Sequence, residues 1–177
     1  MIAGMRWDLF GRLVDHHGDV GFGWRLAADL AARGVEVRYW LDDRADLTWM
    51  APHGAPGVRV GGWDQAGRIE PADVVVETFG CGLPDAFLAR MAARASPPPW
   101  LDVEHLSAED YVERSHGLPS PRTHGPGAGL AMRYVYPGFT AAAACRRDRA
   151  ATTRPRRRTR RVARGDPARA AGPRWPP

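Results

Sequence analysis

The 177-residue chain has no lysine: all 25 of its basic side chains are arginine. Its two cysteines, Cys81 and Cys145, are too few for a disulfide-stapled miniature. No apolar run approaches the length of about 18 residues that a membrane-spanning helix needs, and no charged, apolar and small-residue leader opens the chain. A cytosolic protein without a membrane anchor is the expectation. The six histidines show no H-x-x-x-H spacing and the cysteines no paired C-x-x-C, so no metal site is expected. His105 and His116 read as hydrogen-bonded loop residues, and Cys81 as a packing residue rather than a reactive thiol. No internal repeat is visible.

What is present divides in two. Apolar residues make up 44% of the chain, enough to fill one domain core. Through Thr140 there are 13 Arg against 18 Asp plus Glu, a balance of −5. From Ala141 to Pro177 there are 12 Arg against Asp148 and Asp166, a balance of +10, and the two sums return the overall +5. The chain is an acidic body, residues 1–140, followed by a basic low-complexity segment, residues 141–177.

That segment holds 12 Arg, 10 Ala and 5 Pro, with Val162 and Trp175 as its large apolar side chains. Such a composition cannot bury a core and is expected to be disordered. Arg156, Arg157, Arg158, Arg160 and Arg161 would neutralise phosphates, so one functional class is a nucleic-acid-binding protein with an Arg-rich arm, although such binding would be nonspecific. Arg, Ala, Pro and Gly are also what a GC-rich gene yields when read out of frame. A reading frame lost near Thr140 is the expectation.

Along the body, strands and helices alternate. Residues 6–14 read as a first strand ending before Asp15. A helix follows, with Asp19 as N-cap, Val20, Trp24, Ala27 and Ala31 at helical spacing, and Gly34 at its close. Val35 to Leu41 alternates as a strand with Val35, Val37, Tyr39 and Leu41 on one face, and Val58 to Val60 is a weaker strand. Val74, Val75 and Val76 mark a strand buried on both faces.

A helix is expected from Pro84 to Ala95, with Phe87, Leu88 and Met91 inward and Pro97 to Pro99 ending it. Trp100 to Val103 is a strand, and Ser107 with Asp110 resembles a capping box before a short helix toward Arg114. The proline- and glycine-rich stretch Gly117 to Gly129 reads as a loop. The fold class is α/β, a Rossmann-like parallel sheet with helices on its faces.

In such sheets ligands sit beyond the carboxyl ends of the strands. Those ends carry Asp15 and Asp19, Asp42 and Asp43, Glu77, and Glu104 with His105. An acidic rim repels phosphates and attracts cations. Gly18, Gly21 and Gly23 run G-x-x-G-x-G rather than G-x-G-x-x-G, with Asp19 where a pyrophosphate would sit, which disfavours a nucleotide-dependent oxidoreductase. The glycines read instead as a tight turn, close packing of helix on strand and room for a substrate. Asp15 and Asp19, four residues apart, form either a loop carboxylate and a cap or a clamp that holds a guanidinium and accepts its proton.

The segments Trp7 to Ala31, Val37 to Asp43, Pro71 to Met91, Trp100 to Pro121 and Tyr136 to Thr140 together resemble the elongation factor P maturation arginine rhamnosyltransferase family, in order along the body. The resemblance implies the N-terminal half of a GT-B glycosyltransferase. Two Rossmann-like domains would face a cleft, the first binding the protein acceptor elongation factor P and the second the donor dTDP-β-L-rhamnose, with no further cofactor. Rhamnose would pass, with inversion, to an arginine nitrogen.

The family's catalytic aspartates match Asp15 and Asp19, with Asp19 as general base. His16, His17, Gly18, Gly21, Glu77, Phe79 and Glu104 are the expected substrate-binding residues. Where the family has Asn and an aromatic between the aspartate and the glycine, this chain has His16 and His17. Where it continues into a Gly-Gly-Leu-containing helix and the donor domain, this chain has Ala143, Ala144 and Cys145. GGC-GGC-CTG-C read one base along gives GCG-GCC-TGC, or Ala-Ala-Cys, so the resemblance implies a truncated enzyme, inactive alone for want of its donor half.

Overall fold

The computed structural model describes residues 2–13, 17–42 and 46–140. Asp15, His16, Asp43 and all of 141–177, Cys145 included, lie outside the described residues.

Among the described residues, seven strands and four helices follow in the order β1 (Arg6–Gly11), α1 (His17–Ala32), β2 (Glu36–Leu41), β3 (Val58–Gly62), α2 (Trp63–Ala66), β4 (Val74–Thr78), α3 (Asp85–Ala93), β5 (Trp100–Val103), α4 (Tyr111–Ser115), β6 (Pro119–Pro121) and β7 (Ala131–Val135). They form one sheet in the order β3-β2-β1-β4-β5-β7-β6. All pairings are parallel except β6 with β7. The order reverses between β1 and β4, which are paired from Trp7↔Val74 to Phe10↔Glu77.

Alternation along the strands builds a core on each face. Leu9, Val37, Tyr39, Leu41, Val74 and Val76 pack with Val20, Ala27 and Leu30 of α1. Phe10, Trp40, Val75 and Trp100 pack with Phe87, Leu88 and Met91 of α3. The three valines of β4 divide between the faces and all five residues of the strand are buried, as a continuous β-branched run requires. Gly34 ends α1 with φ +85°, a conformation costly for any side chain.

Several sequence expectations are corrected. The first strand stops at Gly11. Helix α1 begins at His17, so Asp19 lies inside its first turn rather than at the N-cap. There a carboxylate is favoured by the helix dipole. Gly18, Gly21 and Gly23 lie within the same helix rather than in a tight turn. Its buried stripe is Val20, Gly23, Ala27 and Leu30, while Trp24 and Ala31 are only partly covered.

The expected capping box does not form. The Ser107 hydroxyl accepts the Glu109 N–H at 3.1 Å, a turn closed one residue short of Asp110, and α4 begins only at Tyr111. The stretch read as a loop contains β6, three residues with proline at both ends on the sheet edge, where a missing N–H costs nothing.

Candidate functional site

The reversal between β1 and β4 opens a crevice at the carboxyl ends of the strands. The residues there are fixed from below. Tyr39 of β2 is fully buried and its hydroxyl donates to the Val20 carbonyl at 3.0 Å. Gly11 and Gly23 leave room for that ring, because a Cβ at either would collide with the Tyr39 side chain. Burial foremost, then the neighbouring Cys81, Asp19 and Asp42, pushes the phenol pKa well above its ordinary value. The close packing of helix on strand read from the glycines is thus realised at Gly23. Gly21 faces Met50, and a Cβ on Gly18 would meet nothing among the described residues.

Asp42, at the end of β2, is nearly buried. It accepts the Leu13 N–H at 3.2 Å and lies 3.9 Å from the Arg12 guanidinium. It thereby holds the start of the segment that leads to Asp15. Asp19, partly exposed, stands on the first turn of α1 beside the crevice.

The turn after β4 is the most constrained part of the site. Thr78 donates through Oγ1 to the Phe10 carbonyl at 3.1 Å, joining the ends of β4 and β1. Phe79 has φ +58° and is the sole non-glycine residue with positive φ among the described residues. Its N–H donates to the Val103 carbonyl at 2.9 Å. Gly80 N–H donates to Asp102 Oδ1 at 3.0 Å, and Gly82 N–H to Glu77 Oε2 at 2.7 Å. Two buried carboxylates therefore clamp the turn. Burial, then the Asp102 charge, raises the Glu77 pKa to about 7 against the opposing pull of the Gly82 N–H. Burial, with Glu104 adding to it, raises Asp102 to about 6 although the Gly80 N–H pulls the other way.

Cys81 is buried, and its thiol donates to the Phe10 and Gly82 carbonyls at 3.5 and 3.3 Å. Burial, then the Glu77 charge, raises its pKa far above the ordinary thiol range, so it packs as a neutral thiol. His116 does hydrogen-bond, through Nδ1 to the Tyr136 carbonyl at 3.0 Å. His105 engages through its ring face, stacked on Phe79 at 3.8 Å between centroids and 4° between planes.

Five of the expected site residues fall into two clefts, neither of which Asp19 or Phe79 lines. His17, Gly18 and Gly21 line one of about 450 Å³ with Phe22, Arg25, Trp49 and Met50. Glu77 and Glu104 line another of about 310 Å³ with Asp102, Arg122 and Tyr134. Phe79 connects the first group to His105, because its ring also meets Phe22 at 5.0 Å. Carboxylates and aromatic faces suit a cation. No three His, Cys, Asp or Glu side chains among the described residues gather so as to hold a metal ion, and no described helix is long and apolar enough to cross a membrane.

Sequence reasoning missed Asp102 and Asp8, whose strand positions conceal them. Asp8, fully buried in β1, accepts from Arg38 Nε and Nη2 at 2.7 Å each, from Trp40 Nε1 at 2.8 Å and from Ala72 N at 2.8 Å. It is a structural anchor away from the carboxyl ends.

The mostly parallel sheet, with its strand order reversing between β1 and β4, places the chain among α/β proteins of the doubly wound class. Residues 7–165 match the model of the family described as elongation-factor P (EF-P) rhamnosyltransferase EarP, and the chain belongs to that family. It is 46% identical over 145 residues to a protein-arginine rhamnosyltransferase of Pseudomonas putida. It is also 38% identical over 143 residues to one of Pseudomonas aeruginosa and 34% identical over 150 residues to one of Shewanella oneidensis. These alignments cover 75–76% of this chain and 37% of each relative, so the chain spans little more than a third of the length of the curated relatives it matches.

Proposed function

We propose that this chain is the acceptor-binding, N-terminal domain of a GT-B protein-arginine rhamnosyltransferase acting on elongation factor P, with Asp19 as general base and Asp15 as its partner. The observation that carries the reading is the carboxylate of Asp19 on the first turn of α1, at the switch point of a domain from this family. The donor dTDP-β-L-rhamnose is assigned to the part of the relatives that this chain does not span.

The chemistry needs such a group. A guanidinium stays protonated at any physiological pH and its lone pair is delocalised, so it is a poor nucleophile. A carboxylate that accepts its N–H groups orients it, and accepts one proton as the nitrogen bonds to the anomeric carbon. The bond from that carbon to the diphosphate oxygen breaks on the opposite face, and dTDP leaves with the electron pair. Inversion follows from the single displacement. Gly18, where nothing among the described residues crowds the helix, leaves room for the approaching arginine.

The test is a chimera in which residues 1–140 replace the matching part of the Pseudomonas putida relative. It is expected to rhamnosylate elongation factor P in the presence of dTDP-rhamnose. Asp19→Asn should lower kcat by about 10²–10⁴. A folded chimera that retains full activity with that substitution overturns the base assignment, and a folded chimera without transfer overturns the reading.

A further inference from the structure

The turn after β4 presents something the reaction scheme does not use. Phe79 is held in the left-handed region, a conformation that is strained for a residue with a side chain and persists only where the surroundings over-determine it. Here three hydrogen bonds do so, from Phe79, Gly80 and Gly82 to Val103, Asp102 and Glu77. The effect is to stand the Phe79 ring between two others. Phe22 of α1 meets it at 5.0 Å and 49°, and His105, beyond the end of β5, lies flat on it at 3.8 Å and 4°. Core packing does not account for this stack, since His105 is exposed and Phe22 and Phe79 are only partly covered.

Its position is informative. Phe22 is three residues after Asp19 on the same helix and therefore on the same face, one turn along. A planar, delocalised cation is attracted by an aromatic face and forms charge-assisted hydrogen bonds with a carboxylate in its own plane. Phe22, one helical turn from the Asp19 carboxylate and backed by Phe79 and His105, offers both contacts to one group.

We infer that Phe22, Phe79 and His105 form the stacking platform for the acceptor guanidinium, with Asp19 accepting from its edge, so that the site selects arginine by its planarity as well as its charge. This rests on the proposed function for the identity of the acceptor, but not for the chemistry of the platform.

The experiment uses the whole 177-residue chain and two kinds of probe, followed by NMR titration. The small probes are N-acetyl-arginine methylamide, its neutral citrulline counterpart and the lysine counterpart; the protein probe is elongation factor P. Arginine amide is expected to shift the ring resonances of Phe22, Phe79 and His105, and the citrulline and lysine amides to do so far less. His105→Ala should weaken arginine binding about five- to thirtyfold, and His105→Tyr should restore it. Phe79→Gly separates structure from binding. Glycine accepts a positive φ freely, so thermal stability should hold or rise while arginine binding falls.

Equal arginine affinity in His105→Ala and Phe79→Gly, both folded, overturns the platform even if elongation factor P binds. Arginine binding with the expected ring shifts, but no binding of elongation factor P, upholds the platform and counts against the proposed acceptor. Equal binding of the lysine and arginine amides overturns selection by planarity.

Discussion

Single side chains in this domain do opposite things with the same chemistry. Asp8 is sealed in the sheet with four donors around it, so removing the carboxylate leaves Arg38 without its counter-ion in a partly buried site. Asp8→Ala is expected to destabilise the domain by about 3–5 kcal/mol in chemical denaturation. Glu77 is buried with one backbone donor and a neighbouring acid, and its folded pKa of about 7 lies above the ordinary 4.5. The folded state then binds more protons than the unfolded chain between those values. Stability from this group is therefore complete below about pH 4.5 and is lost as pH rises through 7.

Glu77→Gln keeps an acceptor for Gly82 without the charge. It should flatten the stability profile across that window and gain on the order of 2 kcal/mol over the parent at pH 8, read from denaturation midpoints. A profile as steep as the parent's would refute the assignment. Cys81, a raised-pKa thiol with two carbonyl partners, should resist alkylation in the folded state and react at an ordinary rate once unfolded.

At the scale of elements, α1 carries three glycines for different physical reasons. Gly23→Ala adds a methyl that meets the Tyr39 ring and should cost about 1–3 kcal/mol despite the better helix propensity. Gly18→Ala meets nothing among the described residues, so stability should rise by up to about 1 kcal/mol. Thermal melts compare the two directly. A loss of acceptor binding in the more stable Gly18 variant would mark that position as a contact.

The same helix shows what a sequence can and cannot reveal. Its existence, its closure at Gly34 and the acidity beside it were legible from spacing, as were β2, β4 and the inward face of α3. These elements announce themselves by period or by β-branched runs. The start at His17 was not legible, because Asp19 satisfies the rules for a cap and for a first-turn acid alike. Nor was β6, whose prolines read as loop, or β7, which joins the parallel sheet only through its pairing with β5. Asp102 and Asp8 were hidden for a third reason: alternation places acids outward, and only the packed structure shows donors brought to them from distant segments. The aromatic stack required three elements to meet, which no local spacing encodes.

The whole molecule joins an acidic body to a basic segment, and the overall +5 describes neither. If the proposed arginine-bearing acceptor binds, the −5 of residues 1–140 predicts that its binding weakens as salt screens it. The shifted-frame expectation for residues 141–177 is checked at the level of the gene. If it holds, the DNA over Ala143 to Cys145 reads Gly-Gly-Leu in the adjacent frame and continues open. A neighbouring frame interrupted by stop codons would end the idea.

The contact of Gly11, Tyr39 and Gly23 has a consequence for how such a domain varies over time. Twelve and sixteen residues separate neighbouring members of this trio, yet they behave as one volume. No member can grow while the ring keeps its size, and a smaller ring would leave the Val20 carbonyl without its hydroxyl donor. The trio is expected to be inherited as a unit, with drift at one position tolerated only in lineages that have already changed another.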